Sequence, residues 1–249
     1  MRIAALYDIH GMAEPLRAVL AELEHEQFDA IVIGGDAISG PQPSETNALL
    51  QSIEAPMHWI RGNGERALGP DGADAVMGEA EEALRFTASH FSEDERNALA
   101  SLPAHVTLEV DGLGETLFCH ASPRNDLDIV TPGTPDERFG LLLEGVSERI
   151  VVAGHTHMQL DRHVDGVRWI NPGSVGMPYE GEVAGFWALL GPDVEMRRTP
   201  FDIERSIEAL LASGWPDANS FVDENLRVAV DREEVVTLFE KIARDRGER

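Results

Sequence analysis

Short runs of apolar residues recur along the chain, and each run ends in a cluster of polar residues. The five clearest runs cover residues 3–7, 30–33, 57–60, 116–119 and 150–153. Runs of this length, rich in valine and isoleucine and bounded by glycine, are typical of strands that are buried on both faces. The sequence therefore predicts five buried strands, with polar residues directly after their carboxyl ends.

Helical patterns separate the predicted strands. Apolar residues recur at the i, i+3, i+4 and i+7 spacing of a helix at Leu16, Val19, Leu20 and Leu23. A second apolar stripe covers residues 80–91, and Ser92-x-x-Glu95 has the form of a capping box that begins a further helix. Alternating strands and helices indicate an α/β domain of packed layers. In open α/β sheets ligands bind beyond the carboxyl ends of the strands, so the polar clusters mark the expected site.

Two segments are predicted to be helical additions to this domain. The first is a helical insert at about residues 65–102; residues 65–111 contain 3 basic and 11 acidic residues, a net charge of −8. The second is a C-terminal helical tail at about residues 201–249. We interpret both as packing elements of a single domain that spans residues 1–249.

The composition is that of an ordinary globular protein, with 249 residues of which 43% are hydrophobic and 26% charged. The chain has 20 basic and 45 acidic residues, a formal net charge of −25. A surface this acidic repels polyanions, which argues against a general nucleic-acid binder that works by counterion release. The charge and composition therefore indicate a globular protein that is not a general nucleic-acid binder.

Features of the sequence also bear on the cellular compartment. The single cysteine, Cys119, cannot form an intramolecular disulfide, which fits a reducing compartment. No apolar stretch is long enough to span a membrane, and the N-terminus lacks the apolar run of a signal peptide. We expect a cytoplasmic protein without membrane association, and the sequence does not indicate an oligomeric state.

Seven side chains with metal-binding groups stand at the ends of the predicted strands. They are four imidazoles, two carboxylates and one amide: Asp8, His10, Asp36, Asn63, His120, His155 and His157. This donor set, which contains no thiolate, suits divalent ions such as Mn, Fe, Zn or Ni better than Cu(I). Seven ligands exceed the four of a tetrahedral zinc site and suit two metal ions bridged by a shared carboxylate.

Each residue taken alone also has a structural interpretation. The two aspartates could cap helices, and Asn63, which lies between two glycines, could be a turn residue. A lone histidine at a strand end, such as His120, is more often hydrogen-bonded than a ligand. His155 and His157 would share one face of a strand or diverge in a loop. The joint occurrence of all seven at strand ends favours the metal site.

The order Asp-x-His, Gly-Asp, Gly-Asn, His and Gly-His-x-His along residues 8–157 resembles the calcineurin-like metallophosphoesterase family, in particular its small prokaryotic phosphodiesterase-like branch. The resemblance covers roughly residues 1–200. It includes residues 171–176, Asn-Pro-Gly-Ser-Val-Gly, which are similar to the turn that follows the histidine pair in that branch. The fold it implies is a four-layer αββα sandwich of the metallo-dependent phosphatase type.

The resemblance also implies a role for each of the seven residues. Asp8, His10 and His157 would bind the first metal ion, Asn63, His120 and His155 the second, and Asp36 would bridge both. Asp36, Asn63 and His120 would act in catalysis. Two cations about 3.5–4 Å apart acidify a bridging water to hydroxide, which attacks phosphorus in line with the leaving oxygen. The implied function is dinuclear-metal-dependent hydrolysis of a phosphoester.

The sequence departs from the family pattern at three positions. Gly64 stands where the family often has a histidine that serves as general acid, and glycine has no side chain to donate a proton. General acid catalysis is worth about 10²–10⁴-fold, so the proton for the leaving group would come from water or another residue. Met12 stands where the family often has asparagine, and Tyr7 where it often has serine.

Three arginines near these positions are candidates for substrate binding through planar bidentate donors: Arg61, Arg66 and Arg124. For each of them, ion pairing at the surface of an acidic protein is the alternative. Cys119 lies directly before His120 in an apolar run, so we expect its thiol to be buried and to face away from the site.

The expected substrate is a small phosphoester, more specifically a small phosphodiester. The acidic insert would repel long polyanions, and no extended basic track is present to guide a nucleic-acid strand. Two alternatives remain open. One is a phosphomonoesterase that uses the same metal site, and the other is a non-catalytic protein-interaction scaffold on the same fold.

Overall fold

The computed structural model of the chain describes residues 1–70 and 81–248. In these residues the strands are β1 (Ile3–Leu6), β2 (Ala30–Ile33), β3 (Met57–Trp59), β4 (His105–Val110), β5 (Gly114–Cys119), β6 (Ile150–Val152), β7 (Leu160–Val164), β8 (Val167–Asn171), β9 (Gly185–Leu190) and β10 (Val194–Thr199). The helices are α1 (Ala13–Leu23), α2 (Pro43–Gln51), α3 (Asn63–Ala67), α4 (Glu81–Ser89), α5 (Glu93–Ala100), α6 (Asp136–Leu142), α7 (Ile203–Ala212), α8 (Ala218–Val222) and α9 (Arg232–Asp245). A π-helical turn, Asp223–Arg227, follows α8.

The strands of the described residues form two five-stranded sheets. The first has the order β10-β9-β1-β2-β3, in which β1, β2 and β3 are parallel, β9 is antiparallel to β1, and β10 is antiparallel to β9. The second has the order β4-β5-β6-β8-β7, with β5, β6 and β8 parallel. Because the carboxyl ends of parallel strands meet at one edge, each sheet collects its strand-end loops on one side.

The first sheet packs on both faces, and its side chains alternate between two apolar cores. On β1, Ala4 and Leu6 pack with residues of α1 and α2, whereas Ile3 and Ala5 face the second sheet. Neighbouring residues of a strand point to opposite faces, so a run that is apolar throughout serves both cores.

The second sheet is likewise covered on both faces. Phe118 and Val152 pack against the first sheet, while Leu117 and Val151 pack with Phe139 of α6. The order of layers is helices, sheet, sheet, helix. The predicted four-layer αββα sandwich is therefore confirmed.

Local predictions for two helices are confirmed as well. In α1, Leu16, Val19 and Leu23 are buried on one face. At the start of α5 the backbone N–H of Glu95 donates to Ser92 Oγ at 3.3 Å, and the backbone N–H of Ser92 donates to Glu95 Oε2 at 2.7 Å. This reciprocal pair is the capping box that the sequence predicts.

The insert predicted at about residues 65–102 includes residues 71–80, which lie outside the described residues. The described part of it contains α4 and α5, and Leu84 and Leu99 pack against the core beneath the first sheet. In the tail, Ile207 and Leu210 of α7 pack with Met12 and Val222. No helix in the described ranges has the length and apolar character needed to cross a membrane.

Candidate metal centre

The seven candidate ligands are delivered by the loops that follow five strands. Asp8 and His10 follow β1, Asp36 follows β2, Asn63 follows β3, His120 follows β5, and His155 and His157 follow β6. These strands are parallel within their sheets, so their carboxyl ends face the same cleft. The structure thus brings together residues that are up to 149 positions apart.

The backbone at this cleft is strained. Five of the seven residues have left-handed φ angles between 50° and 68°: Asp8, His10, Asp36, His155 and His157. Left-handed backbone in a residue other than glycine costs about 1–3 kcal/mol, and such residues cluster at functional sites. Packing of the flanking strands must hold these loops in place against the strain.

Six of the ligand candidates form two groups of three. The ligand atoms of Asp8, His10 and His157 lie within 4.8 Å of one another, and so do those of Asp36, His120 and His155. Asn63 joins the second group, because its Oδ1 is 3.1 Å from His120 Nε2. The groups are adjacent, since His10 Nε2 lies 3.9 Å from Asp36 Oδ2 and His120 Nε2 lies 4.0 Å from Asp8 Oδ1.

Backbone carbonyls orient three of the four imidazoles. The Nδ1 atoms of His10, His120 and His157 lie 3.2, 2.9 and 2.8 Å from the carbonyl oxygens of Ser39, Gly34 and Met177. A carbonyl oxygen only accepts, so each neutral ring carries its proton on Nδ1 and turns the Nε2 lone pair inward. His10 Nε2 and His157 Nε2 are 3.0 Å apart. In two neutral rings with their protons on Nδ1, the Nε2 lone pairs would repel each other, and a cation between them would stabilise the arrangement.

The carboxylates of the site fit a cation in the same way. Asp8 is fully buried, and its Oδ1 has no hydrogen-bond partner among the described residues, while its Oδ2 accepts from the His155 backbone N–H at 2.9 Å. Asp36 Oδ1 accepts from the Gly64 backbone N–H at 2.6 Å. A buried carboxylate oxygen without a partner is costly unless it binds a cation. Oxygen and imidazole donors together fit divalent metal ions.

The pKa values reflect how closely these charges are packed. Burial opposes ionisation of Asp8, but His157 and His120 outweigh it and hold the pKa of Asp8 well below its ordinary value. Burial raises the pKa of Asp36, although the charge of His120 works in the other direction. The pKa of His120 is raised despite burial, because Asp36 and Asp8 favour its cation. A bound divalent ion would instead require ionised carboxylates and neutral imidazoles, so metal binding would release protons.

Glu65 is a positioning residue that the sequence analysis did not single out. It is fully buried, and its carboxylate accepts from the backbone N–H groups of Asp36, Ala37 and Gly62 at 2.8, 2.8 and 2.9 Å. It therefore ties the loop after β2 to the loop after β3. The available signal was its place at the third position of α3, where a glutamate reaches back to the residue before the helix.

Gly64, where the family often has histidine, has no room for a side chain. A Cβ built there would lie 2.4 Å from Ser39 Oγ and 3.0 Å from Asp36 Oδ1. Ser39 is buried, and its hydroxyl has no hydrogen-bond partner among the described residues. The departure at this position is thus a change of packing as well as of chemistry, since Ser39 occupies the adjoining space.

The other two departures from the family pattern serve the core. Tyr7 is fully buried between the sheets, and its hydroxyl donates to the Val152 carbonyl oxygen at 3.2 Å. Met12 packs with Leu210 and Val222 of the C-terminal region. An apolar residue fits position 12 because these C-terminal helices cover it.

The turn at residues 171–176 holds the first strand-end loop. Ser174 Oγ donates to the Asp8 carbonyl oxygen at 2.6 Å, and the Gly176 backbone N–H reaches the same oxygen at 3.2 Å. Asn171 Nδ2 donates to the Gly154 carbonyl oxygen at 3.0 Å, just before the histidine pair. The turn therefore links the loop after β1 to the loop after β6.

The three candidate arginines line one cavity beside His120. Arg66 forms a bidentate pair with Asp126 at 2.7 and 2.8 Å, and Arg124 a similar pair with Asp128 at 3.2 and 3.0 Å. Arg61 Nη1 donates to the Ala100 carbonyl oxygen at 2.8 Å. Arg66 and Arg124 thus form ion pairs, which is the alternative that the sequence analysis raised. A role of the three arginines in substrate binding stays a prediction.

An aromatic side chain flanks the opposite part of the centre. The ring of Tyr179 stacks on His157 with centroids 4.8 Å apart, and Phe239 of α9 meets Tyr179 edge-on at 6.0 Å. The sequence analysis did not find Tyr179, since nothing in its spacing marks it. Cys119 is buried as expected, and burial raises the pKa of its thiol far above the ordinary value, so the thiol stays protonated.

Comparison with known proteins agrees with this geometry. Residues 1–190 match the calcineurin-like phosphoesterase superfamily domain. The uncharacterized protein MJ0912 of Methanocaldococcus jannaschii is 22% identical over 236 residues, which cover 86% of this chain and 94% of that protein.

Two crystal structures share the fold over most of the chain. A hypothetical protein, PH1004, from Pyrococcus horikoshii has a TM-score of 0.76 at 20% identity, with 89% of this chain and 97% of that chain covered. A metallophosphoesterase from Sphaerobacter thermophilus has a TM-score of 0.72 at 25% identity, with 92% and 99% covered. The structure offers two candidate groups of metal ligands, the family implies divalent metal ions, and the chain is a metal-dependent phosphoesterase that belongs to the calcineurin-like phosphoesterase superfamily.

Proposed function

We propose that the chain holds two divalent metal ions and hydrolyses a small phosphodiester. The observation that carries this proposal is the adjacency of the two ligand groups around Asp36. Asp36 Oδ2 lies 3.6 Å from His120 Nε2 in the second group and 3.9 Å from His10 Nε2 in the first. A single carboxylate is thus within reach of both groups, as a bridging ligand must be.

When bound, two such ions activate a water molecule and neutralise charge on the phosphate. The protein supplies the positions. Asp36 is held by the Gly64 N–H, and its loop by Glu65, while the carbonyls behind His10 and His120 keep their lone pairs directed inward. Most of the barrier reduction in phosphoryl transfer comes from such positioning and charge neutralisation.

The place of the arginines favours a diester over a monoester. They line a cavity that shares only His120 with the two ligand groups. The arginines therefore lie to one side of the centre, where they would contact a substituent of the substrate rather than compensate a second charge on the reacting phosphate. A phosphomonoester carries close to two negative charges at neutral pH, about −1.5 to −2, whereas a diester carries one.

The proposal is tested by metal content and by substrate preference. Elemental analysis of unchelated protein is expected to find about two transition-metal ions per chain. With added manganese, turnover of bis(4-nitrophenyl) phosphate is expected to exceed that of 4-nitrophenyl phosphate. Equal or greater turnover of the monoester would overturn the preference for diesters, and a chain that stays ion-free in excess manganese would overturn the centre itself.

Two variants with a matched control separate catalysis from a scaffold role. Asp36→Asn and His120→Ala are expected to lower kcat by more than about 100-fold, the upper range seen when partners of metal ligands are removed. His163→Ala, at an exposed histidine of β7, is the control and should retain full activity. If both substitutions left the activity unchanged, the site would not be the catalytic site, as expected for a scaffold.

A further inference from the structure

The cavity beside His120 differs in charge from four other cavities that described residues bound. Its volume is about 230 Å³, and among the described residues three guanidinium groups and one carboxylate, that of Asp126, line it. In four other cavities bounded by described residues, acidic side chains outnumber arginine and lysine. An excess of cations in a chain of net charge −25 is a local arrangement that the composition does not explain.

The guanidinium groups of this cavity are held in place before any ligand arrives. Bidentate pairs with Asp126 and Asp128 orient Arg66 and Arg124, which lowers the entropy lost when either contacts an anion. The side chain of Arg124 is still 42% exposed. Ser122 Oγ also donates to Asp128 at 2.5 Å, so the loop that carries Arg124 is itself anchored.

Arg61 is the least compensated of the three. Its guanidinium donates to a backbone carbonyl, that of Ala100, and within the described ranges no carboxylate pairs with it. Its Nε is buried and lacks a hydrogen-bond partner there. A buried guanidinium N–H without an acceptor is costly, and an anionic ligand close to Arg61 would offset part of that cost.

We propose that this cavity binds a second anionic group of the substrate, a carboxylate or a phosphate carried by one ester substituent. The inference rests on the proposed phosphodiesterase function and narrows its substrate class. His120 belongs both to the cavity and to the second ligand group, so the second anion lies a short spacer away from the reacting phosphorus. The volume admits a carboxylate or phosphate together with its spacer.

Non-hydrolysable phosphonates test the cavity without relying on turnover. Manganese-loaded protein is titrated calorimetrically with alkylphosphonates, with ω-carboxyalkylphosphonates of equal length, and with α,ω-bisphosphonates, each over a series of spacer lengths. At the best spacer the second anion is expected to tighten binding about tenfold, and more salt should weaken this gain. The carboxylate and bisphosphonate arms show which anion is preferred. Equal affinity of the charged and alkyl ligands at every spacer would overturn the proposal.

Variants assign the gain to the cavity. Arg61→Gln and Arg124→Gln should each remove most of the preference for the second anion while binding of the plain alkylphosphonate changes little. Arg124→Gln lies at a partly exposed side chain and so remains informative if Arg61→Gln folds poorly. Arg85→Gln, at an exposed arginine of α4, is the control. Retention of the full preference in both cavity variants would place the second anion elsewhere.

The two proposals fail in different ways. If the phosphonates distinguish the second anion but no diester is hydrolysed, the cavity stands and the proposed activity fails. If diesters are hydrolysed but the second anion changes neither affinity nor KM, the activity stands and the cavity proposal fails.

Discussion

The two ligand groups of the metal centre are nearly equal in chemistry and different in surroundings. Each contributes one aspartate and two histidines. The first group is bordered by the stacked ring of Tyr179 and, behind it, by α9 of the C-terminal region. The second group is bordered by the arginine-lined cavity through His120 and is tied down by Glu65.

Under the proposed function, this difference would separate two tasks. The two ligand groups, which are alike in atom type, would serve the reacting phosphate, because two metal ions can neutralise its charge from two sides. An aromatic border on one side and a cationic border on the other would favour one orientation of an unsymmetrical substrate. The comparison therefore predicts that the ligand groups govern the reaction and that their borders govern which ester binds and in which direction.

The largest expected effect tests whether the groups bind separate ions. His10→Ala and His120→Ala each remove one imidazole, from the first and second group respectively, and each should reduce bound metal from about two ions to about one per chain. Activity should fall by more than about 100-fold in both. Elemental analysis of each purified variant provides the measurement. Loss of both ions in both variants would show that the groups act as one unit rather than two.

The next effect tests whether Glu65 holds the second group. Glu65→Gln turns one acceptor into an amide donor that faces backbone N–H groups, and we expect about 10–100-fold weaker metal binding. Glu95→Gln is the matched control, since Glu95 occupies the same position of a capping box at the exposed start of α5. Metal titrations of both variants decide the point. Equal losses of metal affinity in the two variants would mean that the effect comes from helix capping in general and not from the contacts of Glu65.

A smaller effect tests the packing at Gly64. Gly64→Ala places a methyl group against Ser39 and Asp36, and overpacking of this kind costs about 1–3 kcal/mol of unfolding free energy. Adding Ser39→Gly should recover part of the loss, because it removes the nearest atom. Gly140→Ala in α6, where the nearest atom to an added Cβ is 3.9 Å away, should be neutral or stabilising. Urea unfolding of the parent protein and the three variants gives their free energies of unfolding. If the double variant recovered none of the lost stability, the clash would be with an atom outside Ser39.

The smallest effect tests the aromatic border. Tyr179→Leu removes the ring stacked on His157, a contact worth about 0.5–1.5 kcal/mol, and should raise KM more than it lowers kcat. Tyr179→Phe keeps the ring, so its KM and kcat should stay close to those of the parent protein. Steady-state kinetics with one diester measures both. If the leucine variant behaved like the phenylalanine variant, the ring would have no part in substrate binding.

The site residues could be named from the sequence because each polar cluster directly follows an apolar run. A strand-end position depends on local patterning, and five of the predicted runs became β1, β2, β3, β5 and β6. Strands such as β4 and β10 were not predicted, since Glu109 interrupts the apolar pattern of the first and Glu195, Arg197 and Arg198 that of the second, so neither forms an apolar run. The capping box of α5 was predicted because all of its contacts lie within four residues.

Contacts between distant segments were beyond the reach of local patterns. Nothing near Glu65 indicates that it accepts from the loop after β2, and nothing near Tyr179 indicates that it stacks on His157. Arg66 shows the same limit. Its residue type was visible in the sequence, but whether Asp126, 60 positions away, would pair with it depended on how two loops meet.

The sequence by itself determined the layered α/β class and the chemical identity of the metal-binding groups, because both follow from spacing over a few residues. Only the tertiary structure decided which groups face one another, which backbone carbonyls orient the imidazoles, and which side of the centre is cationic. Those features depend on distances between segments far apart in the chain, and packing of the two sheets sets these distances.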